Sequence, residues 1–147
     1  MYSDLNSSES LSEIKDQIKI ISNKYNIQII YAFGSRAKEA LDLVKGKIEK
    51  LSATPSDLDI GIKPEKTLKV REKVEIAIAF EDIFKVSKVD LVVIPEAPVF
   101  LALKIVTGEL LYARNQDHEA EYQLYIMRKA AELIHYERMK QKMVLEV

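Results

Sequence analysis

A chain of 147 residues with 48% apolar and 31% charged residues has the size and composition of an ordinary globular domain, so we expect one domain over 1–147. The net charge of −1 argues against a general electrostatic affinity for nucleic acid or for an anionic membrane. The chain has no cysteine, which excludes a disulfide scaffold, a thiolate zinc site and a thiol nucleophile. Its polar, acidic beginning is not typical of a signal peptide and no apolar run could span a bilayer, so we expect a cytoplasmic protein.

In chain order, the hydrophobic pattern predicts strands alternating with helices. The stretch "IQIIYAF" is β-branched and aromatic and stops at a glycine, which is typical of a buried strand. "DLDIGI" alternates acidic with apolar residues, the period of a strand with two different faces. The fold class is therefore α/β or α+β, a small mixed β-sheet flanked by helices. We expect strands over 27–33, 57–62, 88–94 and 109–113, and helices over 11–24, 37–51, 67–85, 98–106 and 117–142.

Two acidic residues stand out within the second strand. Asp57 and Asp59 are two residues apart, so their side chains leave the same face of the strand, with Cα atoms about 6.6 Å apart. Ionised carboxylates at this distance repel each other. An isolated Asp-x-Asp pair is more often a pair of solvated residues at a strand margin. Here, however, the acids interrupt an apolar strand, where aspartate is disfavoured.

Asp90 repeats this pattern near the start of the next apolar strand, "KVDLVVI". If the two strands are neighbours, Asp57, Asp59 and Asp90 converge. Convergent carboxylates indicate a bound cation, and an all-oxygen ligand set favours Mg²⁺ or Mn²⁺ over zinc. Two such ions about 3.5–4 Å apart hold the attacking and leaving oxygens in phosphoryl transfer.

Gly34, Ser35 and Arg36 follow the first strand, where the chain enters a predicted helix. A turn before a helix N-terminus presents free backbone N–H groups and a positive dipole end, which suits phosphate. Gly34 would let a phosphate approach the backbone, and Ser35 would add a hydroxyl donor. Arg36 would either add charge to the site or point outward. The simpler alternative is an ordinary strand-to-helix turn with a serine cap.

Together these stretches resemble a known family. "FGSRA" (33–37), "SDLDIGI" (56–62) and "VDLVVI" (89–94) are similar to the Gly-Ser, Asp-x-Asp and third-Asp motifs of the DNA polymerase β nucleotidyltransferase superfamily. The motif core covers about 27–94. The short chain and its "GELLYAR" segment (108–114), followed by a C-terminal helix, look most like the minimal nucleotidyltransferases of HEPN toxin–antitoxin pairs.

This resemblance implies a polymerase-β-like fold and a particular chemistry. Asp57 and Asp59 would ligate two Mg²⁺ or Mn²⁺ ions, and Asp90 would complete the ion that activates the acceptor hydroxyl. Gly34, Ser35 and Arg36 would bind the phosphates of ATP. The reaction would transfer AMP from ATP to a hydroxyl with release of pyrophosphate. In the toxin-neutralising members the acceptor is a tyrosine of the partner HEPN toxin.

One departure from the family pattern is the spacing of the motifs. Twenty-one residues separate Ser35 from Asp57, and "DLVKGKIEKLSATP" (42–55) predicts a longer helix followed by a loop. That segment either covers the site or displaces the Gly-Ser turn from it.

Two other functions fit the same motifs. The chain could be a binding module that neutralises its partner by complex formation alone, with the acids as remnants. It could instead transfer a nucleotide to a small molecule or an RNA, but only about fifty residues follow Ile94, too few for an acceptor-binding domain. No basic surface predicts direct nucleic-acid binding, no membrane segment is expected, and self-association is compatible with the sequence.

Overall fold

Helices and strands alternate along residues 2–145, the part of the chain that this computed structural model describes. In chain order the elements are α1 (Tyr2–Tyr25), β1 (Ile27–Phe33), α2 (Ala37–Val44), β2 (Leu58–Pro64), α3 (Val70–Phe84), β3 (Val89–Val93), a 3₁₀ turn (Ile94–Glu96), α4 (Val99–Val106), β4 (Glu109–Ala113) and α5 (Gln116–Leu145).

The strands form one mixed sheet in the order β3-β2-β1-β4. Strand β1 is antiparallel to both β2 and β4, whereas β2 and β3 run parallel and are joined by α3. A parallel pair needs a crossover connection of this kind. The expected small mixed sheet flanked by helices is confirmed, and the strands that carry the acids are neighbours, as predicted.

The sheet separates two apolar cores. On its first face, Leu58, Ile60 and Ile62 of β2 are fully buried in a cluster with residues of α1, α2 and α3. The second face carries alternate residues of β1, including Tyr31, packed against α4 and α5. Because neighbouring residues of a strand point to opposite faces, Asp59 of β2 lies on the second face.

Gly61 lets helix α4 lie directly on this second face. Asp59, Gly61 and Lys63 follow one another on it, and a Cβ at Gly61 would overlap the side chain of Ile105 in α4. Helix α4 therefore crosses β2 at Gly61. The crossing divides the face into an acid end, with Asp57, Asp59 and Asp90, and a lysine end around Lys63.

Helix α2 is shorter than expected, and its prediction beyond Val44 is wrong. Gly46 adopts a positive φ of 75°. The N–H groups of Gly46 and Lys47 donate to the carbonyls of Leu43 and Asp42, which is the Schellman ending of a helix. The chain then turns back so that Leu51 packs into the first core. The remainder of the segment between α2 and β2 is a loop.

The other helices differ from expectation only at their ends. Thr67 does not cap α3; the helix begins after Lys69, whose N–H donates to the Glu72 carboxylate at 3.0 Å. Helix α5 is capped by Asn115, whose side-chain oxygen accepts from the His118 N–H at 3.0 Å. Helix α1 starts at Tyr2, nine residues before the predicted start. None of the helices within residues 2–145 has the length and apolar character that a membrane crossing requires.

Candidate active site

The acid end brings three carboxyl groups to one edge of the sheet. Asp59 and Asp90 are paired in register on the parallel strands β2 and β3, so their side chains leave the same face beside each other. Asp57 immediately precedes β2 and lies two residues before Asp59, which gives it the same orientation. The three sequence-predicted acids are therefore neighbours.

The pKa of the Asp59 carboxyl agrees with the placement of the three acids beside one another. Burial raises the pKa of the Asp59 carboxyl above its ordinary value, and the charges of Asp90 and then Asp57 raise it further. Lys104 of α4 acts in the opposite direction and lowers it. Asp59 is half-buried, whereas Asp90 is exposed. Like charges held this close favour a bound cation or a shared proton.

The Asp57 side chain forms an ion pair with a lysine. Its Oδ2 lies 3.5 Å from Nζ of Lys88, and the lysine side chain is largely exposed whereas that of Asp57 is partly exposed. Such an exposed ion pair contributes little stability. With the side chains in these positions, no three Asp, Glu or His residues among 13–145, whose side chains the structure describes, are grouped closely enough to hold a metal ion. Asp57 would have to leave Lys88 to join Asp59 and Asp90.

Gly34 places the turn after β1 against these acids. Its φ is 77°, a backbone conformation that L side chains rarely adopt. A Cβ built on Gly34 would lie 2.5 Å from Oδ2 of Asp59, so the Asp59 carboxylate occupies the space that a side chain would fill. The long 42–55 segment has therefore not displaced the turn from the acids. Phe33 is also the register partner of Asp59, which fixes the same neighbourhood through the sheet.

Ser35 is exposed beside this turn. Helix α2 begins at Ala37, with Arg36 at the capping position, and receives no side-chain cap. The alternative that Ser35 is an ordinary helix cap is therefore wrong. Its hydroxyl is left facing solvent next to the acid end.

Arg36 has a different position from the one expected of a phosphate ligand. The residue is only 5% exposed. Its guanidinium donates to the carbonyl oxygens of Ser52 at 2.6 Å and Ser56 at 3.0 Å, and to Oε2 of Glu39 at 3.3 Å. Hydrogen bonding from Ser52 and then from Arg36 lowers the pKa of Glu39. These hydrogen bonds hold the loop that precedes Asp57. A nucleotide phosphate would have to compete with the loop carbonyls for the Arg36 guanidinium.

We expect Arg36→Met to lower the free energy of unfolding by about 2–3 kcal/mol, because the loop carbonyls and Glu39 lose a buried, charged donor. Urea denaturation would measure this loss, with Lys38→Met, an exposed neighbour in α2, as the matched control. A variant with unchanged stability and weaker ATP binding would show instead that Arg36 acts on the nucleotide.

Lys104 is a residue of this site that the sequence analysis missed. Helix α4, "VFLALKIV", contains this single charge, and it is exposed. Ile105, the next residue, packs over Gly61, two positions along β2 from Asp59. The lone lysine in an apolar helix was the available signal. Its placement near Asp59 only follows from the way α4 crosses the sheet.

Comparison with known proteins agrees with this geometry. The family model described as polymerase beta, nucleotidyltransferase matches residues 15–117, which include every residue of the acid end, the Gly-Ser turn and Lys104. No curated protein sequence matches the chain significantly.

Solved structures share the fold. A chain from a toxin–antitoxin structure with AMP-PNP is similar with a TM-score of 0.64 and 22% identity, covering 89% of this chain and 98% of that one. A chain from a toxin–antitoxin MntA–HepT structure is similar with a TM-score of 0.62 and 20% identity, covering 91% of this chain and 98% of that one. A third similar chain comes from a Shewanella oneidensis structure of a tri-AMPylated HEPN toxin in complex with MNT antitoxin. Its TM-score is 0.62 and its identity is 20%, and the match covers 92% of this chain and 98% of that one. At such identities the likeness establishes the fold.

Proposed function

The chain belongs to the polymerase beta nucleotidyltransferase family, and we propose that it is an antitoxin that transfers AMP from ATP to a tyrosine hydroxyl of a partner HEPN toxin. The observation that carries the proposal is the in-register pair of Asp59 and Asp90 with Asp57 before it, at the open edge of the sheet. We expect the reaction to take place in the cytoplasm, where ATP is available.

The donor set fits hard divalent cations. All three groups are carboxylates, two of them on adjacent strands, and one is already perturbed by its neighbours' charge. Asp57 and Asp59 would hold the ions, Mg²⁺ or Mn²⁺ and two in number, with Asp90 as a ligand of the one nearer the acceptor. When bound, the ions neutralise charge on the phosphates and on the reacting oxygens.

The remaining chemistry belongs to residues of this chain. Asp90 is exposed at the edge of the sheet, so its carboxylate can face the incoming tyrosine hydroxyl and receive its proton. The tyrosine oxygen forms a bond to the α-phosphorus of ATP, and the bond to pyrophosphate breaks. The backbone N–H groups of the turn at Gly34, the Ser35 hydroxyl and the Lys104 ammonium would bind the phosphates.

The choice of acceptor draws on the structural relatives. One contains AMP-PNP, and another contains a HEPN toxin that has been AMPylated three times together with its antitoxin. This chain spans nearly the whole of each matching chain, 98% in both.

A second candidate function is neutralisation of the toxin by complex formation without transfer. The contact between Asp57 and Lys88 at 3.5 Å favours it, because a lysine there takes the place of part of a metal's charge. Both candidates require the same partner, and only one requires ATP.

Incubation of the protein with a HEPN toxin, ATP labelled at the α-phosphate and Mg²⁺ would separate the two. We expect label on a toxin tyrosine, and we expect EDTA to prevent it. ATP labelled at the γ-phosphate should leave the toxin unlabelled, because pyrophosphate is the leaving group. Inhibition of the toxin without label would establish the non-catalytic function instead.

Ser35→Ala is expected to weaken nucleotide use without destabilising the fold. Loss of one charge-assisted hydrogen bond of roughly 1.5–3 kcal/mol corresponds to a loss of about one to two powers of ten in transfer efficiency. Because the Ser35 side chain caps no helix, the melting temperature should stay unchanged. Both quantities should be measured on the same sample. A loss of about 1 kcal/mol of stability with unaltered transfer would restore the helix-cap interpretation.

A further inference from the structure

A cavity of about 460 Å³ lies at the lysine end of the second face, on the other side of α4 from the acids. The end of β2, the 3₁₀ turn after β3, α4 and α5 surround it, and it has no residue in common with the acid end. Lys63, Lys66, Tyr122, Tyr125 and Lys129 provide its polar wall. A volume of this size is within the range of small-ligand pockets.

The charges around this cavity are unbalanced. Its two carboxylates are engaged by cations outside it: Glu96 by Lys73 at 2.9 Å and Glu65 by Arg114 at 3.4 Å. Within the part of the chain that the structure describes, Lys63 and Lys129 form no ion pair with a carboxylate. The cavity therefore carries ammonium groups without matching anions.

Among these ammonium groups, Lys63 gives the strongest indication of an anionic ligand. Its Nζ donates to Oε1 of Gln28 at 2.6 Å and lies 5.1 Å from the centre of the Tyr122 ring. Both of these contacts are uncharged. Burial lowers the pKa of Lys63, and the negative charge of Glu65 opposes this shift without cancelling it. A partly buried ammonium whose direct contacts are neutral is a group that an anionic ligand would stabilise.

Lys63 and Lys129 enclose a pair of tyrosines. The rings of Tyr122 and Tyr125 stack at 6.1 Å between centroids, and Nζ of Lys129 lies 4.8 Å from the Tyr125 ring. Burial and then the neighbouring Tyr125 raise the pKa of Tyr122 to about 12, so its hydroxyl remains a hydrogen-bond donor at neutral pH. Two ammonium groups, each over one ring of this tyrosine pair, therefore belong to the polar wall.

The apolar wall of the cavity consists of Ile94, Val99, Ala102 and Ile126, and three of these are buried in the second core. A bare inorganic anion would leave this surface uncovered. A ligand that fits both walls has an anionic group and a flat or apolar body.

We propose that this cavity binds a small organic anion of the nucleoside monophosphate type, with its phosphate at Lys63 and Lys129 and its base against the apolar wall. This site is separate from the acid end and does not depend on the transfer reaction. Ala102 lines the cavity, whereas Lys104, on the same helix, faces the acids, so a ligand here would contact the element that crosses between the two ends.

Titration calorimetry with AMP in the presence of EDTA tests the proposal, because EDTA removes the divalent ions on which nucleotide binding at the acids would depend. We expect the wild-type protein to bind AMP, and Lys63→Met and Lys129→Met each to weaken it about tenfold, since each removes one charge-assisted contact. Lys129 is exposed, so its substitution should leave the fold intact.

Lys140→Met is the matched control. Lys140 also lies over a tyrosine of α5, at 5.4 Å from the Tyr136 ring, but outside the cavity. We expect Lys140→Met to bind AMP as the wild type does, and we expect the same of Asp59→Asn. Adenosine and inorganic phosphate, each lacking half of the ligand, should bind more weakly than AMP.

Three results would overturn the proposal: no AMP binding to the wild-type protein in EDTA, binding that survives both lysine substitutions, or binding that is lost in Asp59→Asn. The last would assign the nucleotide to the acid end. Failure of the proposed transfer function would appear separately, as absence of label on the toxin, and would leave these binding results unaffected.

Discussion

Asp59→Asn is expected to reduce AMP transfer by more than about 100-fold, because loss of even an outer-shell partner of a metal ligand typically costs 10–100-fold. In EDTA, the same variant should melt at a higher temperature than the wild type. The physical reason is that the half-buried Asp59 carboxylate faces Asp90 and Asp57, and their charges raise its pKa. An amide of the same shape removes this repulsion.

The pH dependence gives this prediction a second test. A carboxyl whose pKa is raised on folding destabilises the folded state once it ionises, so the penalty is absent below the unfolded value of about 3.9 and grows as the pH rises through the folded value. The stability advantage of Asp59→Asn should therefore be largest near neutral pH and disappear as the pH falls toward 4. Asp82→Asn, which removes an exposed charge from α3 remote from the acid end, is the matched control.

Divalent cations should make the wild-type protein more stable than Asp59→Asn, the reverse of the order expected in EDTA. Metal that binds only the folded wild-type protein stabilises it by about 2.7 kcal/mol at a hundred times its dissociation constant. Asp59→Asn should gain much less. Melting temperatures in EDTA and in Mn²⁺ measure both effects on one pair of proteins. If the variant unfolds more easily than the wild type in EDTA, Asp59 has a structural role and the assignment of the acids to a metal site is wrong.

The sequence was informative about the acid end because strand geometry fixes it. Alternation in "DLDIGI" determines that Asp57 and Asp59 share a face opposite Ile60, and the structure buries Ile60 fully. Asp90 required one more assumption, that the two strands are neighbours. Their parallel pairing was the simplest result of a helix connecting them, and it brings Asp59 and Asp90 into register.

Long-range contacts decided what the sequence could not show. Arg36 had the character of a phosphate ligand, but the carbonyls of Ser52 and Ser56 bind its guanidinium because the loop after α2 folds back over it. That loop exists because Gly46 ends the helix early and Leu51 reaches the core. Each step depends on packing between residues distant in sequence, which local propensity does not report.

The packing of α4 organises the second face of the sheet. Ile105 fits over Gly61 only because that residue has no side chain. The helix therefore lies low on β2, with Lys104 toward the acids and Ala102 toward the cavity. Gly61 thus separates two groups of charged residues, and neither group could be assigned to its end before the crossing point was known.

Gly34→Ala is expected to damage both the fold and the site. At a φ of 77° an alanine costs roughly 1–2 kcal/mol of stability, since a Cβ conflicts with the backbone there. Its Cβ would also lie 2.5 Å from Oδ2 of Asp59, so that carboxylate has to move away from its position beside Asp90. We therefore expect weaker Mn²⁺ binding and a loss of transfer of about 10–100-fold, comparable to the loss of a partner that orients a ligand.

Gly46→Ala separates these two effects. Gly46 has nearly the same backbone conformation, with a φ of 75°, but it ends helix α2 rather than contacting an acid. It should lose a similar amount of stability, about 1–2 kcal/mol, and should keep wild-type Mn²⁺ binding and transfer once measured below its melting temperature. Chemical denaturation and Mn²⁺ titration of both variants provide the comparison. If Gly34→Ala loses stability but binds Mn²⁺ and transfers AMP as Gly46→Ala does, the turn after β1 serves the fold alone, and the phosphates of ATP must bind elsewhere along the acid end.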